Sequence, residues 1–351
     1  MDKKLKIAII GYGGMGGYHT RLLADSGKFE LSGIYDIDPA RCAAARKNGI
    51  KVYSSKEEIA RDPQTDAVLI ATPNDFHMPY AVYFAANKKH IVCEKPAALT
   101  AAEFDKMTGA AVKNGVRLVV HQNRRQDRDY VTALEIVKSG VIGDVYRIDS
   151  RVTGANGIPG GWRKLIKHGG GMMLDWGVHL LDQILIMPGF ENPESLYCKY
   201  SYVQGHEAED GFTLSLNYGG AEVNVEVLTG CYIETPRWLI FGSKGTARLD
   251  GFGGRGQITV RTDSDEEVVA QKLGNGFSKT MAVSPDSHRE GVAVPIVSGD
   301  EGFFYRQFYD AAVNGKPHSI ENAEVRRVLA IMEQAKKSAQ SGKAVNLKLK
   351  T

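Results

Sequence analysis

No stretch of the chain stays apolar for the roughly 20 residues that a membrane-crossing helix needs, so the sequence predicts neither a transmembrane span nor a membrane partner. Cysteine is scarce, with four in 351 residues. Cys42, Cys93, Cys198 and Cys231 lie far apart and form no C-x-x-C pair and no metal-ligand spacing, which points to a reducing compartment and to no metal. Charge is nearly balanced at a formal net of +3, and the basic residues are scattered, so no nucleic-acid partner is expected. The lysines after Met1 lead straight into an apolar strand and leave no room for a signal peptide, so the expected location is cytoplasmic. No internal repeat is visible. What remains has the composition of an ordinary globular protein, long enough for two or three domains.

The most informative stretch runs from Lys6 to His19. Ile7 to Ile10 form a continuous apolar run, as expected of a parallel strand covered on both faces, and the run opens into Gly11, Gly13, Gly14, Gly16 and Gly17. This spacing predicts strand, tight turn and helix. Gly11 permits the turn, Gly13 lets backbone approach a pyrophosphate, and Gly16 lets the helix lie on the strand, with Tyr12, Gly14 and Met15 completing the phosphate-facing loop. A second apolar run, Phe29 to Tyr35, ends in Asp36 and Ile37, with Asp36 about 20 residues beyond the last fingerprint glycine. An acid there accepts hydrogen bonds from an adenosine ribose and repels a 2′-phosphate. NAD is therefore favoured over NADP, and Arg41 weakens that preference only slightly.

Strands and helices then alternate, which implies right-handed crossovers in one parallel sheet. The reading gives six strands, with Val52-Tyr53 a short third one. Ligands of such sheets sit at the carboxyl ends of the strands, so Thr72, Pro73 and Asn74 belong at the cofactor edge. His77 is equally a helix-start histidine or a functional one. The strand His90 to Cys93 stops at Glu94-Lys95-Pro96, because proline cannot continue the ladder, and this places Lys95 at the same edge, where the residue is either solvated or functional. A first domain, 1–122, closes there. From 123 to 351 the pattern changes to many strands with short links, the sign of a mainly antiparallel sheet. Strands are expected at Glu266 to Gln271 among other places, with a long aperiodic loop from Gly274 to Gly302 and two closing helices. The stripe Val325, Val328, Leu329, Met332 and Ala335 on the last helix is core, and these helices are candidates to pack back on the first domain.

Gly169-Gly-Gly precedes a helix on which Asp175 and His179 stand four apart, hence on one face. Such a pair is either an intrahelical hydrogen bond or a carboxylate that fixes the tautomer of a proton-accepting imidazole. Asp182 reads as a structural or capping group.

Taken together, the Gly11 to Gly16 fingerprint, Ala71-Thr-Pro-Asn74 with His77, Glu94-Lys-Pro96, and Gly169-Gly-Gly with Asp175-x-Gly-x-His179 resemble the glucose-fructose oxidoreductase, inositol dehydrogenase and rhizopine catabolism family over nearly the whole chain. The resemblance implies an α/β protein: a Rossmann domain followed by an α/β domain with a large open, mainly antiparallel sheet, whose outer face commonly forms a homodimer or homotetramer. It implies that Lys95 touches the substrate hydroxyl and that Asp175 and His179 complete the catalytic set. Arg125, Trp162 and Arg163 fall where the family often places substrate contacts. Trp176, at a variable family position, could offer a platform to a sugar ring. The implied activity is NAD-dependent oxidation of a secondary hydroxyl on a sugar, glycoside or cyclitol such as inositol. Redox-cycled glycoside cleavage and non-catalytic NAD binding are the alternatives on this fold.

Overall fold

In the computed structural model, which describes residues 4–262, 271–279 and 289–347, the chain folds into two α/β layers sharing one long helix. The first contains β1 (Leu5–Ile10), α1 (Gly14–Ser26), β2 (Phe29–Tyr35), α2 (Pro39–Lys47), α3 (Lys56–Arg61), β3 (Ala67–Ile70), α4 (His77–Ala86), β4 (His90–Cys93), α5 (Ala101–Asn114) and β5 (Leu118–Val120). The five strands pair in parallel in the order β2-β1-β3-β4-β5. Ile7 to Ile10 and the whole of β3 are buried because helices cover both faces. Val52-Tyr53 is not a sixth strand. Val52 makes one parallel bridge to Ile34, and the two flanking hydrogen bonds, Ile34 N–H to Lys51 and Tyr53 N–H to Ile34, end the pairing there.

A 3₁₀ turn, Asn123–Gln126, leads to α6 (Arg128–Ser139) and the second layer. Its sheet comprises β6 (Val145–Thr153), β7 (Ser195–Ser201), β8 (Gly211–Asn217), β9 (Glu222–Leu228), β10 (Trp238–Gly242), β11 (Gly245–Asp250) and β12 (Arg255–Arg261), with α7 (Val178–Leu185) inserted between β6 and β7. Among the described residues nine strands are joined, and β6 pairs with β9 in parallel. The burial of β8 and β9 alternates residue by residue, as it must when one face packs on helices and the other does not.

The expected loop from Gly274 to Gly302 holds more structure than its composition suggests. Gln271–Leu273 (β13) and Phe277–Lys279 (β14) form a hairpin, and Arg289–Val292 (β15) pairs with β12 at the edge of the sheet. The expected strand Glu266 to Gln271 lies, except for Gln271, outside the described residues.

The chain returns through α8 (Phe303–Asn314) and α9 (Asn322–Ser341), then pairs β16 (Val345–Asn346) with β7. α8 places Phe304, Tyr305, Phe308 and Tyr309 in the core of the first layer. α9 serves both layers: Val325 and Leu329 enter the first core, while Val328, Ile331, Met332 and Ala335 enter the second. Leu329→Ala is therefore expected to cost about 2–5 kcal/mol and to shift thermal unfolding of both layers together. Two separate transitions, only one of them moved, would contradict the shared-helix account.

Candidate active site

The carboxyl ends of β1 to β4 open on a cleft. Its floor is the fingerprint turn. A Cβ on Gly16 would sit 2.4 Å from the Gly11 carbonyl oxygen, so only glycine lets α1 lie this close to the turn. No side chain caps the α1 N-terminus, which leaves its first N–H groups for an anionic ligand. Gly11, Gly13, Gly14 and Met15 line the cleft with Asp36 and Ile37 at one end. Tyr12 contributes its N–H instead, donating to Asp36 Oδ2 at 2.6 Å, while Asp38 N–H donates to Asp36 Oδ1 at 2.8 Å. Asp36, expected to face the ribose, thus also staples β2 to the turn. Further along, Thr72, Pro73 and Asn74 line the wall, and the Thr72 hydroxyl oxygen is buried without a partner. Open glycine backbone, an uncapped helix start, an acid at the strand end and an unused hydroxyl together fit an NAD molecule laid along this edge.

Two residues read as cofactor contacts also hold the architecture. Asn74 donates through Nδ2 to the Gly169 carbonyl at 2.8 Å, tying the layers together. His77 is buried, with its ring nitrogens 2.8 Å from the Pro96 carbonyl oxygen and 3.0 Å from that of Thr72. It staples two strand-end loops.

Glu94 is buried under the cleft. Its Oε1 meets His19 Nε2 at 2.7 Å and His121 Nδ1 at 2.8 Å, and Oε2 accepts the Lys95 N–H at 3.1 Å. Burial alone would raise its carboxyl, but the two imidazoles hold it well below the usual carboxylate range. Tyr305 on α8 reaches His19 Nδ1 at 2.5 Å. These three groups converge closely enough to hold a metal ion, yet they already satisfy one another as a hydrogen-bonded cluster that sets the Glu94-Lys95 backbone.

Above that cluster the two layers meet. Lys95 Nζ donates to the Asp175 carbonyl at 3.1 Å and lies 3.4 Å from Asp175 Oδ1, and Arg163 Nε lies 3.5 Å from Oδ2. The side chains of Lys95 and Asp175 are 15% and 17% exposed, enough to face a ligand in the cleft. Trp162 and Arg163 line the same cleft, with the guanidinium 4.7 Å from the indole centroid.

His179 does not pair with Asp175. Met173–Gly177 is a π-turn, not α-helix, and the Asp175 carboxylate within it is turned to Lys95 and Arg163 instead. His179 begins the α-helical part just after it. The imidazole is buried, and its Nδ1 has no partner. Burial first, then the charges of Lys95 and Arg124, drive its basicity well below the ordinary histidine value. It is therefore neutral near pH 7, the form that accepts a proton. α7 is held in place from below: Gln183 Nε2 donates to the Arg124 carbonyl, and its Oε1 accepts from Arg237, both at 2.8 Å.

Two expected substrate contacts are engaged elsewhere. Arg125 makes a two-pronged pair with Asp182 at 2.7 and 2.6 Å and reaches Glu324 at 2.8 Å. Its side chain is 10% exposed and that of Asp182 only 2%. It pins the linker to α7 and α9. Trp176 has the Arg124 guanidinium 4.3 Å from its ring centroid and lies 6.0 Å from His179, so one of its faces is already covered.

Glu209 is a site residue that no sequence signal disclosed. Its Oε1 accepts the Met173 N–H at 3.0 Å, and its carbonyl accepts the Met172 N–H at 3.1 Å. It thereby anchors the start of the segment that carries Asp175 and His179. Gly171, at φ +104°, rests directly on this carboxyl, and a Cβ there would come within 2.3 Å of both oxygens. Burial pushes the Glu209 carboxyl up from 4.5 to about 7, against the pull of the Met173 N–H.

A nucleotide cleft whose edge carries a lysine and an acid from the second layer, with a buried imidazole behind them within reach of the lysine's charge, fits a two-domain, NAD-dependent dehydrogenase. Residues 5–122 match the family model described as the oxidoreductase family, NAD-binding Rossmann fold, and residues 130–248 match the GFO/IDH/MocA C-terminal domain. The chain belongs to this glucose-fructose oxidoreductase, inositol dehydrogenase and MocA family. It is 25% identical to the NADP-dependent scyllo-inositol 2-dehydrogenase of Bacillus subtilis, over 98% of this chain and 96% of that protein. It is 26% identical to the myo-inositol 2-dehydrogenase of Thermotoga maritima, over 98% of each. Among solved structures, an NAD-binding protein from Listeria innocua superposes with a TM-score of 0.93 at 37% identity, covering 99% of this chain and 100% of that one.

Because Arg125 is a buried ion-pair partner, Arg125→Ala should cost about 3–5 kcal/mol in chemical denaturation by leaving Asp182 uncompensated. Wild-type stability with only a raised substrate KM would restore it as a substrate contact. For Glu209 the folded-state value lies above the unfolded one, so its contribution to stability is full below about pH 4.5 and is lost as pH rises through 7. Glu209→Gln cannot ionise and still offers an acceptor to Met173. Its Tm advantage over wild type should therefore grow between pH 5 and pH 8, and a difference that stays flat would contradict the assignment.

Proposed function

We propose that this enzyme oxidises a secondary hydroxyl of a sugar, sugar derivative or cyclitol to a ketone. The observation that carries the reading is the meeting of Lys95 with Asp175 at the edge of the cleft, with His179 buried behind them and within reach of the lysine's charge. A secondary alcohol gives up a hydride easily only if its hydroxyl proton leaves too, since otherwise a protonated ketone would form. His179 is the group suited to take that proton. The Lys95 ammonium, aimed by its two contacts with Asp175, is placed to hydrogen-bond the same oxygen and to stabilise its growing alkoxide character. Asp175 in this scheme orients the lysine and not the imidazole. When bound, NAD supplies the hydride acceptor. The two inositol dehydrogenases among the relatives support a polyol substrate.

Lys95→Ala and His179→Ala should each lower turnover by roughly 10²–10⁴ while NAD affinity, measured by fluorescence titration, stays near wild type. Near-normal turnover in both variants would remove the two residues from the chemistry.

A further inference from the structure

Glu209 does not line the cleft, yet the part of the site that the second layer contributes is built out from it. The first N–H groups of a helical segment have no acceptor within the segment. Here the Met172 N–H is taken by the Glu209 carbonyl at 3.1 Å and the Met173 N–H by its Oε1 at 3.0 Å. Both methionines are buried, and Gly171 before them leaves the carboxyl the space that a Cβ would fill.

The frame extends to either side of Asp175. Its N–H donates to the Gly171 carbonyl at 3.1 Å, and the Gly171 N–H donates to the Arg163 carbonyl at 3.0 Å. Ala208, next to Glu209, donates its N–H to the Lys164 carbonyl at 3.3 Å. Ala208 and Glu209 therefore brace both the turn that carries Asp175 and the segment that carries Arg163, whose Nε lies 3.5 Å from Asp175 Oδ2.

What this frame presents to the first layer is main chain. Of the two contacts that Lys95 makes with Asp175, the shorter, 3.1 Å against 3.4 Å, is to the backbone carbonyl. A carboxylate can be swung into place by its own side-chain torsions, whereas a carbonyl goes where the turn goes. The ammonium is thus placed by whatever fixes the turn, and Glu209 fixes it at its start.

We propose that Glu209 is a positioning residue for turnover: by accepting the Met173 N–H with its carboxyl and the Met172 N–H with its carbonyl, it holds the Asp175 carbonyl where Lys95 can bind it and still face the substrate oxygen. The proposal rests on the reading above, in which Lys95 stabilises that oxygen. Glu209→Met and Glu209→Leu remove the side-chain acceptor at similar volume, and Glu209→Gln keeps one. Turnover of myo-inositol, glucose and methyl glucoside is measured per NAD-binding site, counted by fluorescence titration, so that unfolded protein does not enter the rate. Glu209→Met and Glu209→Leu should each lose about tenfold to a hundredfold in kcat, with KM and NAD affinity within about twofold of wild type. Glu209→Gln should restore most of the rate. In a Lys95→Ala background the first two substitutions should cost less than about twofold, since the group they position is absent, whereas a general loosening of the fold would cost both backgrounds alike. Independently of turnover, acetylation of Lys95 by acetic anhydride, read by mass spectrometry, should be about threefold or more faster in Glu209→Met and Glu209→Leu than in wild type or Glu209→Gln, because the hold of Asp175 on the lysine is loosened. Unchanged kcat in the first two variants, equal losses with and without Lys95, or unchanged labelling of Lys95 would each overturn the proposal. No turnover of any of the three compounds by the wild type, with the labelling difference present, would uphold the placement of Lys95 by Glu209 and fail the dehydrogenase reading.

Discussion

Lys95 reaches across from one layer to the other and finds Asp175, eighty residues later in the chain, through both the carbonyl and the carboxylate. The placement of the site depends on this contact. A lysine at the end of a parallel strand would ordinarily trail into water. Here it is held over the nucleotide cleft, and the second layer is drawn against the first at the point where a substrate would meet a cofactor. The Asn74 to Gly169 hydrogen bond and the shared helix α9 reinforce the same junction.

On either side of that contact, the backbone has been shaped to deliver groups that cannot be moved independently. Glu94, gripped by two imidazoles, sets the strand end from which Lys95 projects. The three glycines before α7 are close-approach positions: Gly169 lies on Leu99 and Asn74, Gly170 on the Arg163 carbonyl, and Gly171 on Glu209. A side chain at Gly169 would push the second layer off the first, and one at Gly170 or Gly171 would collide within the second layer itself. In the π-turn that follows, the Asp175 carboxylate is turned to Lys95 and Arg163, so the acid serves the lysine while His179 Nδ1 is left without a partner. Keeping a histidine uncharged beside two cations is an electrostatic consequence of its burial, and it is the state a proton acceptor needs.

Much of the fold was legible in the sequence because its signals are local. Apolar runs, glycine spacing and period-two alternation each concern neighbouring residues, and they located the Rossmann strands, the mainly antiparallel sheet and the core stripe on α9. The site was legible as a list of residues more than as a geometry. Spacing of four predicts a shared face but not a contact, so the relation of Asp175 to His179 was misread: Lys95 and Arg163, distant in sequence, take the carboxylate. Arg125 was expected to touch substrate from the family resemblance, and its partners Asp182 and Glu324 lie 57 and 199 residues away, beyond any local signal. Glu209 carries no motif and acts only because β8 begins beside the Gly171 turn. The Val52 bridge failed as a strand for a different reason: its ladder is one residue long.

The account comes down to an alcohol whose proton and hydride leave to different partners, one to a protein imidazole and the other to a dinucleotide. The most direct measurement follows NADH absorbance and ketone product together, with a polyol carrying deuterium or hydrogen on the reacting carbon. The account predicts one NADH per ketone and a slower rate with deuterium. Product formed with no accumulated NADH, or no product from any sugar or cyclitol, would contradict it.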